Sequence, residues 1–290
     1  MLISTDKLSN KQLNDLEVLS RHCKQIDGNT IPIYPHILAK LRAKPCSLLY
    51  YHQQQLIGFL SVFFFYSDSC EVAVLVDPIH RQQGIARQML TQSLAIFDLQ
   101  VIHTLLFSTT PAFSFLPQYG FNYRYSELQM KRDSKIAVPE PRQSGLVIRR
   151  ATHDDITALS VIDLACFPTQ AAHMDARFSM LLNDPDYFLF IAHLDNCPIG
   201  KAHIQCIPDG AHFADIAVLP DFQGNGFGKS LLAFCINYAL HNQKYNLQLD
   251  VETDNKNALK LYTGLGFSIN NVCDYWATPI KSLYSRYQLA

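Results

Sequence analysis

Two stretches of this chain repeat one strand–turn–helix pattern, and this repeat constrains the fold more than any other feature. In residues 215–243 an apolar run ends at Pro220, and three glycines in five positions then precede a segment with helical periodicity. Residues 71–90 show the same order, with Val76-Asp77-Pro78 matching Val218-Leu219-Pro220. The matching glycines lie 226 − 84 = 142 residues apart, about half of the 290-residue chain. The repeat therefore predicts two copies of one domain.

The glycine turn before each predicted helix indicates an anion-binding site. Glycine accepts positive φ and lets a ligand approach the backbone, and the unpaired amides at a helix start favour phosphate. The spacing excludes two common phosphate loops. Position 223 is Gln223 where a Walker loop needs glycine, and one residue separates Gly226 from Gly228 where a dinucleotide fingerprint needs two.

The spacing instead resembles the coenzyme A pyrophosphate loop of the GNAT acetyltransferases. Gln223-x-x-Gly226-x-Gly228 follows a strand ending in Val-x-Pro, and Arg81-x-x-Gly84-x-Ala86 is the second copy. Residues 255–267 are similar to the closing motif of that family at every defined position, Asn255-x-x-Ala258-x-x-Leu261-Tyr262-x-x-x-Gly266-Phe267. On these motifs the chain is identified as a tandem member of the GNAT family.

The resemblance implies an α/β fold, with helices on a mixed α+β sheet, in two tandem acyl-CoA N-acyltransferase domains. We place the first domain at residues 1–132 and the second at residues 146–290. The segment 133–145 between them contains Pro139 and Pro141, which is typical of a semi-rigid linker. A hydrophobic fraction of 48% is sufficient for two packed cores.

Periodicity and turn residues predict the remaining elements. In the first half we predict helices at 11–25 (capped by Ser9 or Asn10), 34–44, 84–97 and 113–119, and strands at 47–52, 56–66, 71–76, 104–108 and 123–131. In the second half we predict helices at 155–166, 170–183, 229–243 and 255–265, and strands at 146–150, 187–193, 198–206, 215–219, 246–251 and 268–278. The same order in both halves supports the repeat.

The resemblance implies that acetyl-CoA lies in an opening between the strands at 215–219 and 246–251. The Val218 amide would face the thioester oxygen, where such a donor can be worth roughly 3 kcal/mol. The coenzyme-binding residues implied for the second half are Ile216, Ala217, Val218, Gln223, Gly224, Asn225, Gly226, Phe227, Gly228, Lys229, Asn255 and Ala258. Those implied for the first half are Val76, Arg81, Gln82, Gln83, Gly84, Ile85, Ala86 and Arg87.

Two side chains of the second half are candidates for proton transfer. Tyr262 matches the general acid of the family, and its alternative is a core aromatic residue. Asp250 matches the glutamate base of the ribosomal-protein alanine acetyltransferases, and its alternative is a solvated carboxylate at a strand end. Glu252 and Asp215 are weaker candidates for the base. Asn255 is expected to cap its helix as well as to meet the pantetheine arm.

The first half departs from the family pattern. With the glycines aligned, Leu116 takes the place of Tyr262, Thr109 that of Asn255 and Pro111 that of Asn257, whereas Ala112 matches Ala258 and Phe115 takes the place of Leu261. Glu71 is either a base or a charge at the start of a strand. We therefore expect the first half to be structural or to hold coenzyme without catalysing transfer.

Several other polar residues stay outside the predicted chemistry. His173, His203 and His212 are read as surface or core histidines. Tyr275 and Trp276 either line the acceptor pocket or pack in the last strand.

These observations predict an N-acetyltransferase that transfers an acetyl group from acetyl-CoA directly to a primary amine in its second half. Two alternatives stay open: transfer of a longer acyl group, and a non-catalytic acyl-CoA-binding regulatory or interaction protein. The acceptor is expected to be a small-molecule amine or a peptide N-terminus. The chain is expected to act as a monomer or a homodimer.

Composition limits the other partners. A net charge of −1 argues against nucleic-acid binding and against a polybasic membrane anchor. The N-terminus lacks a signal pattern and no apolar run is long enough to span a membrane, so we expect a cytoplasmic protein. The eight cysteines form no Cys-x-x-Cys pair, and we therefore expect no metal site.

Overall fold

The structure is a computed structural model that describes residues 1–65, 68–111, 116–141, 143–167, 174–207 and 210–287. It divides into two compact units, unit 1 (Met1–Leu128 with Asn271–Ala290) and unit 2 (Gln129–Asn270). The predictions for Ala112, Phe115 and His173, and parts of the predicted strand at 56–66 and of the predicted helices at 113–119 and 170–183, lie outside the described residues.

Unit 1 contains a mixed β-sheet with helices on both faces. Its strands are β1 (Leu2–Thr5), β2 (Ser47–His52), β3 (Gln55–Phe63), β4 (Ser69–Val76), β5 (Thr104–Thr109) and most of β6 (Asn122–Arg132). Its helices are α1 (Asn10–Asp27), α2 (Pro35–Leu38) and α3 (Ile85–Ser93). The last part of β12 (Ser268–Pro279) and helix α8 (Ile280–Tyr287) also belong to unit 1. The sequence did not predict α8.

Local sequence explains the ends of α1. Ser9 caps it, because its hydroxyl accepts from the Gln12 amide while the Gln12 side chain accepts from the Ser9 amide. Gly28 ends it in the left-handed conformation, with φ of 76°. The predicted cap and helix are therefore confirmed.

The predicted helix at 34–44 is wrong beyond its first turn, since α2 covers Pro35–Leu38 alone. Arg42 explains the difference. Its backbone amide donates to the Asp6 carbonyl, and its guanidinium donates to Ser61 Oγ and the Val62 carbonyl. These tertiary contacts hold the segment away from a helical path, and Pro45 prevents the helix from continuing.

The sheet of unit 1 runs in the order β1-β2-β3-β4-β5, with β4 and β5 parallel and the other neighbours antiparallel. Residues 274–279 of β12 pair antiparallel with β5 on its other side. One face packs against α1 through Leu16, Leu19 and Cys23. The opposite face packs against α3 and α8, with buried Ile85, Met89, Ile280 and Leu283.

Unit 2 repeats the mixed arrangement. Its strands are β7 (Leu146–Arg150), β8 (Tyr187–Leu194), β9 (Cys197–Ile207), β10 (Gly210–Val218) and β11 (Asn246–Glu252), and its helices are α4 (Ile156–Cys166), α5 (Met174–Asn183), α6 (Phe227–His241) and α7 (Lys256–Gly264). The order is β7-β8-β9-β10-β11, and only β10 and β11 are parallel among these pairs. A capping box of Thr152 and Asp155 starts the turn before α4, as predicted. The predicted mixed α/β fold is therefore confirmed.

The proline-containing segment 133–145 lies along α6 where the structure describes it. The Asn237 side chain accepts from the Val138 amide and donates to the Val138 carbonyl, both at 2.9 Å, and it also donates to Glu140. Lys135 places its ammonium 4.6 Å from the centre of the Tyr245 ring. None of the helices among the described residues is long and apolar enough to cross a membrane.

Candidate active site

In unit 2, strands β10 and β11 pair over a short stretch and then separate. The parallel pairing runs from Gly210 opposite Asn246 to Phe213 opposite Leu249. On its other side β10 changes register against β9 between Ala214 and Ala217, where one extra residue forms a bulge. Asp215 lies in this bulge with a left-handed φ of 49°. Ile216, Ala217 and Val218 therefore follow the point where the two strands part.

The glycine loop comes directly after these residues. Gly224 and Gly226 have φ of 78° and 84°, a conformation that residues with a Cβ rarely adopt. Gly226 is the residue before the first turn of α6, and the Gln223 side-chain amide donates to the Val218 carbonyl at 2.9 Å. The loop thus presents the backbone amides at the start of α6, including those of Phe227, Gly228 and Lys229, as an anion cradle.

Gln143 of the preceding segment also touches this loop. Its side-chain Nε2 donates to the Asn225 carbonyl at 2.9 Å, and it would lie 3.1 Å from a Cβ placed on Gly226. A Cβ on Gly228 would meet Leu261 of α7 at 3.8 Å. The contact at Gly228 is an ordinary packing distance, so the positive φ of Gly224 and Gly226 is what favours glycine in the loop.

Helix α7 carries the closing motif. The Asn255 side chain accepts from the Ala258 amide at 3.1 Å, so its predicted capping role is confirmed. Tyr262 is 8% exposed, and its ring makes an edge contact with Phe267 at 6.3 Å between centres. Burial raises the pKa of Tyr262 to about 12. The phenol therefore stays protonated at neutral pH, as a proton donor must.

Asp250 is paired with His212, which was expected to be a surface or core histidine. His212 Nε2 lies 2.9 Å from Asp250 Oδ2, and both side chains are about a third exposed. His212 is opposite Gln248 in the β10–β11 register, so His212 and Asp250 lie on one face of the sheet. The alternative candidate Glu252 is exposed at the end of β11. His212 and Asp250 are far apart in sequence, so only the register between β10 and β11 shows that they are neighbours.

A cluster of buried and partly buried charges, which the sequence did not reveal, lies on the same face next to the bulge. We call it the charge cluster; it consists of Asp163, Arg177, Lys201, His203 and Asp215. Lys201 and Asp163 are fully buried and in direct contact. Asp215 Oδ2 accepts from Arg177 Nη2 at 2.5 Å and lies 3.2 Å from His203 Nδ1. Lys201 Nζ is 3.9 Å from the same oxygen.

The electrostatics of the charge cluster keep the Asp215 carboxylate ionised. Burial would raise the pKa of Asp215, but the hydrogen bond with His203 and the charges of His203, Lys201 and Arg177 outweigh it and lower this pKa. Burial lowers the pKa of Lys201 and that of His203. The carboxylate is thus ionised and fixed at the bulge. Alternation along β9 puts Lys201 and His203 on one face of the sheet. Asp163 and Arg177 lie on α4 and α5, and no local sequence pattern connects them with β9.

Unit 1 has a loop of the same shape with different contacts. Gly84 precedes α3 with φ of 79°, and Gln82 takes the left-handed position of Gly224. Arg81 donates through Nε to the Val76 carbonyl at 3.1 Å, as Gln223 does to Val218. Its two remaining nitrogens form a fork on Asp27, each at 2.7 Å. The Arg81 guanidinium is therefore already engaged by Asp27 at the end of α1.

The other first-half candidates fall into two groups. Gln83, Ile85, Ala86 and Arg87 surround the start of α3, and Ile85 is buried in the core. Leu116 is also buried, which leaves no hydroxyl at the position of Tyr262. Tyr275 and Trp276 lie opposite Ser108 and Phe107 of β5, so both residues belong to unit 1. The roles assigned to all these residues stay predictions.

The family of this protein follows from its similarity to known proteins. A profile of the acetyltransferase (GNAT) family matches residues 13–121 and 156–267. Because these segments make up more than half of the chain, the protein belongs to the GNAT acetyltransferase family. The two separate matches, one in each half, make it a tandem GNAT protein, as the sequence predicted.

The relatives are distant. An uncharacterized N-acetyltransferase of Methanocaldococcus jannaschii is 29% identical over 111 residues, which cover 36% of this chain and 49% of the relative, so the match spans about half of that relative. A mycothiol acetyltransferase of Tsukamurella paurometabola is 26% identical over 219 residues, covering 68% of this chain and 74% of the relative.

Two solved structures share the fold along almost the whole chain. A GCN5-related N-acetyltransferase from Sphaerobacter thermophilus has a TM-score of 0.78 at 15% identity and covers 96% of both chains. A tandem GNAT protein from the clavulanic acid biosynthesis pathway has a TM-score of 0.69 at 16% identity and covers 97% of this chain and 98% of its own. At such low identity these structures support the fold alone.

Proposed function

We propose that unit 2 is an acetyl-CoA-dependent N-acetyltransferase that transfers an acetyl group directly to a primary amine. The observation that carries this proposal is that one unit combines the parted strands, the glycine loop and Tyr262. Pairing of β10 with β11 stops at Phe213 and Leu249, Gly226 directly precedes α6, and Tyr262 lies on α7. The family membership supports an acyltransferase.

The coenzyme would be held by backbone groups for the most part. The residues after the bulge, Ile216, Ala217 and Val218, offer peptide groups to an extended pantetheine arm, and residues 224–229 offer amides to the pyrophosphate. Bound acetyl-CoA supplies an activated thioester. The Val218 amide would donate to the thioester oxygen, which becomes negative during acyl transfer, and this would lower the barrier.

Two groups of the chain would handle protons. The amine must lose a proton, and the Asp250–His212 pair offers a carboxylate and an imidazole 2.9 Å apart on one sheet face. Tyr262 would donate a proton to the leaving thiolate, since its phenol is protonated at neutral pH. A general acid or base of this kind contributes roughly 10² to 10⁴ in rate.

Unit 1 would support unit 2 or hold coenzyme without catalysing transfer. Its fold and its loop are intact, but Leu116 replaces the tyrosine and β4 lacks the bulge of β10. The relatives include mycothiol acetyltransferases, which favours a small-molecule amine over a peptide N-terminus as the acceptor. We therefore propose a small amine.

The test is release of free thiol from acetyl-CoA with a panel of amines, with the acetylated product identified by mass. Thiol release that depends on one class of amine is the expected result. Asp250→Asn should lower turnover by about 10² to 10⁴ with little change in coenzyme affinity. Binding of coenzyme A with no amine-dependent thiol release across the panel would favour a regulatory acyl-CoA-binding protein instead.

A further inference from the structure

The segment 133–145, which precedes the first strand of unit 2, reaches the glycine loop of that unit through one side chain. Gln143 Nε2 donates to the Asn225 carbonyl at 2.9 Å, across 82 residues of sequence. The same nitrogen would lie 3.1 Å from a Cβ on Gly226, so the Gln143 side chain packs directly against the turn that starts α6. None of the roles proposed above for unit 2 uses this contact.

Two separate attachments hold the backbone on either side of Gln143. Before it, the Asn237 side chain of α6 accepts from the Val138 amide and donates to the Val138 carbonyl, both at 2.9 Å. After it, the Gly145 carbonyl accepts from the Asp195 amide at 3.1 Å, and a Cβ on Gly145 would clash with the Asp195 carboxylate. The side chain therefore meets the glycine loop from a segment that is itself fixed at both ends.

The contact determines which way one amide of the loop points. The Asn225 carbonyl and the Gly226 N–H belong to one peptide unit, and in a planar trans peptide these two groups point in opposite directions. Because Gln143 donates to the carbonyl, the Gly226 N–H is directed away from Gln143. Gly226 directly precedes α6, so the orientation of this peptide decides whether an N–H or a carbonyl stands beside the first amides of the helix.

Glycine alone does not fix this orientation. Gly226 has φ of 84°, but glycine adopts negative φ about as readily, so the peptide between Asn225 and Gly226 can reverse at little cost. The Asn225 side chain is engaged elsewhere, since its Nδ2 donates to the Phe222 and Gln223 carbonyls at 3.3 and 3.2 Å. A donor on the Asn225 carbonyl favours one of the two orientations, and Gln143 supplies that donor.

The other end of the Gln143 amide indicates a role beyond packing. Only the nitrogen end of the amide can donate to a carbonyl, so the contact with Asn225 leaves Oε1 on the opposite side. This oxygen is buried and has no hydrogen-bond partner among the residues that the structure describes. A buried acceptor without a partner costs free energy, which an apolar side chain of the same length would avoid. Glutamine is thus a poor choice for stability here and a suitable one for orienting the loop.

We propose that Gln143 is a positioning residue for the coenzyme, which holds the peptide between Asn225 and Gly226 so that the Gly226 N–H faces the pyrophosphate together with the amides of residues 227–229. This inference rests on the coenzyme site proposed for unit 2. Gln143 acts through the loop backbone and touches no coenzyme atom itself. Each N–H aimed at an anion adds to its binding, so a reversed peptide should weaken contacts with the pyrophosphate and leave those with the pantetheine arm unchanged.

The experiment uses the full chain and three probes that differ in their phosphate groups. Coenzyme A carries the pyrophosphate and a ribose phosphate, dephospho-coenzyme A carries the pyrophosphate alone, and pantetheine carries neither. Gln143→Met keeps the length of the side chain and removes its donor. By calorimetry, it should weaken coenzyme A and dephospho-coenzyme A by the same factor, roughly 3- to 10-fold, and leave pantetheine unchanged. Unchanged affinity for coenzyme A, or equal weakening of all three probes, would overturn the proposal.

Two further measurements separate positioning from packing. The melting temperature of Gln143→Met without coenzyme should stay near the wild type or rise, because the variant also removes the unpartnered Oε1. Gln143→Glu places a carboxylate against the Asn225 carbonyl, so it should weaken coenzyme A more than Gln143→Met does, and added salt should recover part of the difference. A lower melting temperature with unchanged coenzyme affinity would assign Gln143 to folding alone and contradict the proposal.

A control in the same segment makes the result specific to the loop contact. The Ser134 hydroxyl accepts from the Ile136 amide at 3.2 Å, away from the loop, so Ser134→Ala should leave coenzyme affinity unchanged. Any coenzyme bound by unit 1 contributes equally to all these variants, because Gln143 and Ser134 belong to unit 2. A wild type that binds no coenzyme A would overturn the proposed function as well as this role. A wild type that binds it no more tightly than Gln143→Met would overturn the role of Gln143 alone.

Discussion

Lys201 is buried on strand β9 of unit 2. The matching residue on strand β3 of unit 1 is Phe59, which is also buried. The match follows from the register, because Gly58 is opposite Val76 as Gly200 is opposite Val218, with 200 − 58 = 218 − 76 = 142. Two residues further on, Ser61 takes the place of His203. At these two positions the same face of the fold therefore carries a phenylalanine and a serine in unit 1, and a lysine and a histidine in unit 2.

The difference accompanies a change in the backbone. Strand β4 pairs with β3 without interruption from Gly58 to Phe63, whereas β10 has the bulge that contains Asp215. Where Phe59 packs against α1, no charged group is needed. Where the bulge occurs, Arg177, Lys201 and His203 meet the Asp215 carboxylate. Charged groups are costly to bury, so their presence at the bulge is consistent with a functional requirement in unit 2.

The largest effect is expected from removing the hydroxyl that unit 1 lacks. Tyr262→Phe keeps the buried ring and makes unit 2 resemble unit 1, where Leu116 has no hydroxyl. Turnover should fall by about 10² to 10⁴, while coenzyme affinity and melting temperature stay near the wild type. Steady-state kinetics and calorimetry check this. Full activity in the phenylalanine variant would return Tyr262 to a packing role.

The next effect concerns the charge cluster. Lys201→Met leaves Asp163 buried next to an apolar side chain, and the expected loss in the free energy of unfolding is about 3–5 kcal/mol. The double variant Lys201→Met with Asp163→Leu removes both charges and should recover most of that loss. Chemical denaturation measures both variants. A double variant as unstable as the single one would show that the pair itself is not the source of the cost.

A smaller effect is expected at the bulge. Asp215→Asn tolerates the left-handed conformation but removes a charge that Arg177 and Lys201 face, so unit 2 should lose about 1.5–3 kcal/mol at neutral pH. The folded pKa of Asp215 is below its ordinary value of 3.8. Its contribution is therefore complete above that value and declines as the pH falls below it. Denaturation at neutral and acidic pH should show the variant and the wild type converging in acid; a constant difference would contradict this.

The smallest effect is expected from removing one helix cap in each unit. Asn255→Ala removes the acceptor of the Ala258 amide, and Ser9→Ala removes the acceptor of the Gln12 amide. Each should cost about 1 kcal/mol of stability. If Asn255 also meets the coenzyme, its variant alone should weaken coenzyme A binding. Equal coenzyme affinity in both variants would limit Asn255 to the cap.

Local patterns in the sequence were sufficient for part of this molecule. The loop at Gly226, the caps at Ser9 and Asn255 and most strands depend on residues that are close in sequence, where spacing and backbone preference act directly. The helix expected at 34–44 failed because Arg42 makes its contacts with residues outside that segment. The charge cluster joins four elements, and the place of Tyr275 in unit 1 depends on how β12 pairs. Such long-range contacts leave no periodic pattern.

We propose that catalysis belongs to unit 2, and the two glycine loops offer a matched pair of variants for testing this assignment. Gly226→Asp and Gly84→Asp each place a carboxylate at a left-handed position before a helix, with φ of 84° and 79°. Coenzyme A affinity by calorimetry and thiol release from acetyl-CoA are measured for both. We expect Gly226→Asp to abolish turnover and coenzyme binding in unit 2, and Gly84→Asp to keep turnover while altering stability or coenzyme stoichiometry. Loss of turnover in Gly84→Asp, with activity preserved in Gly226→Asp, would place catalysis in unit 1.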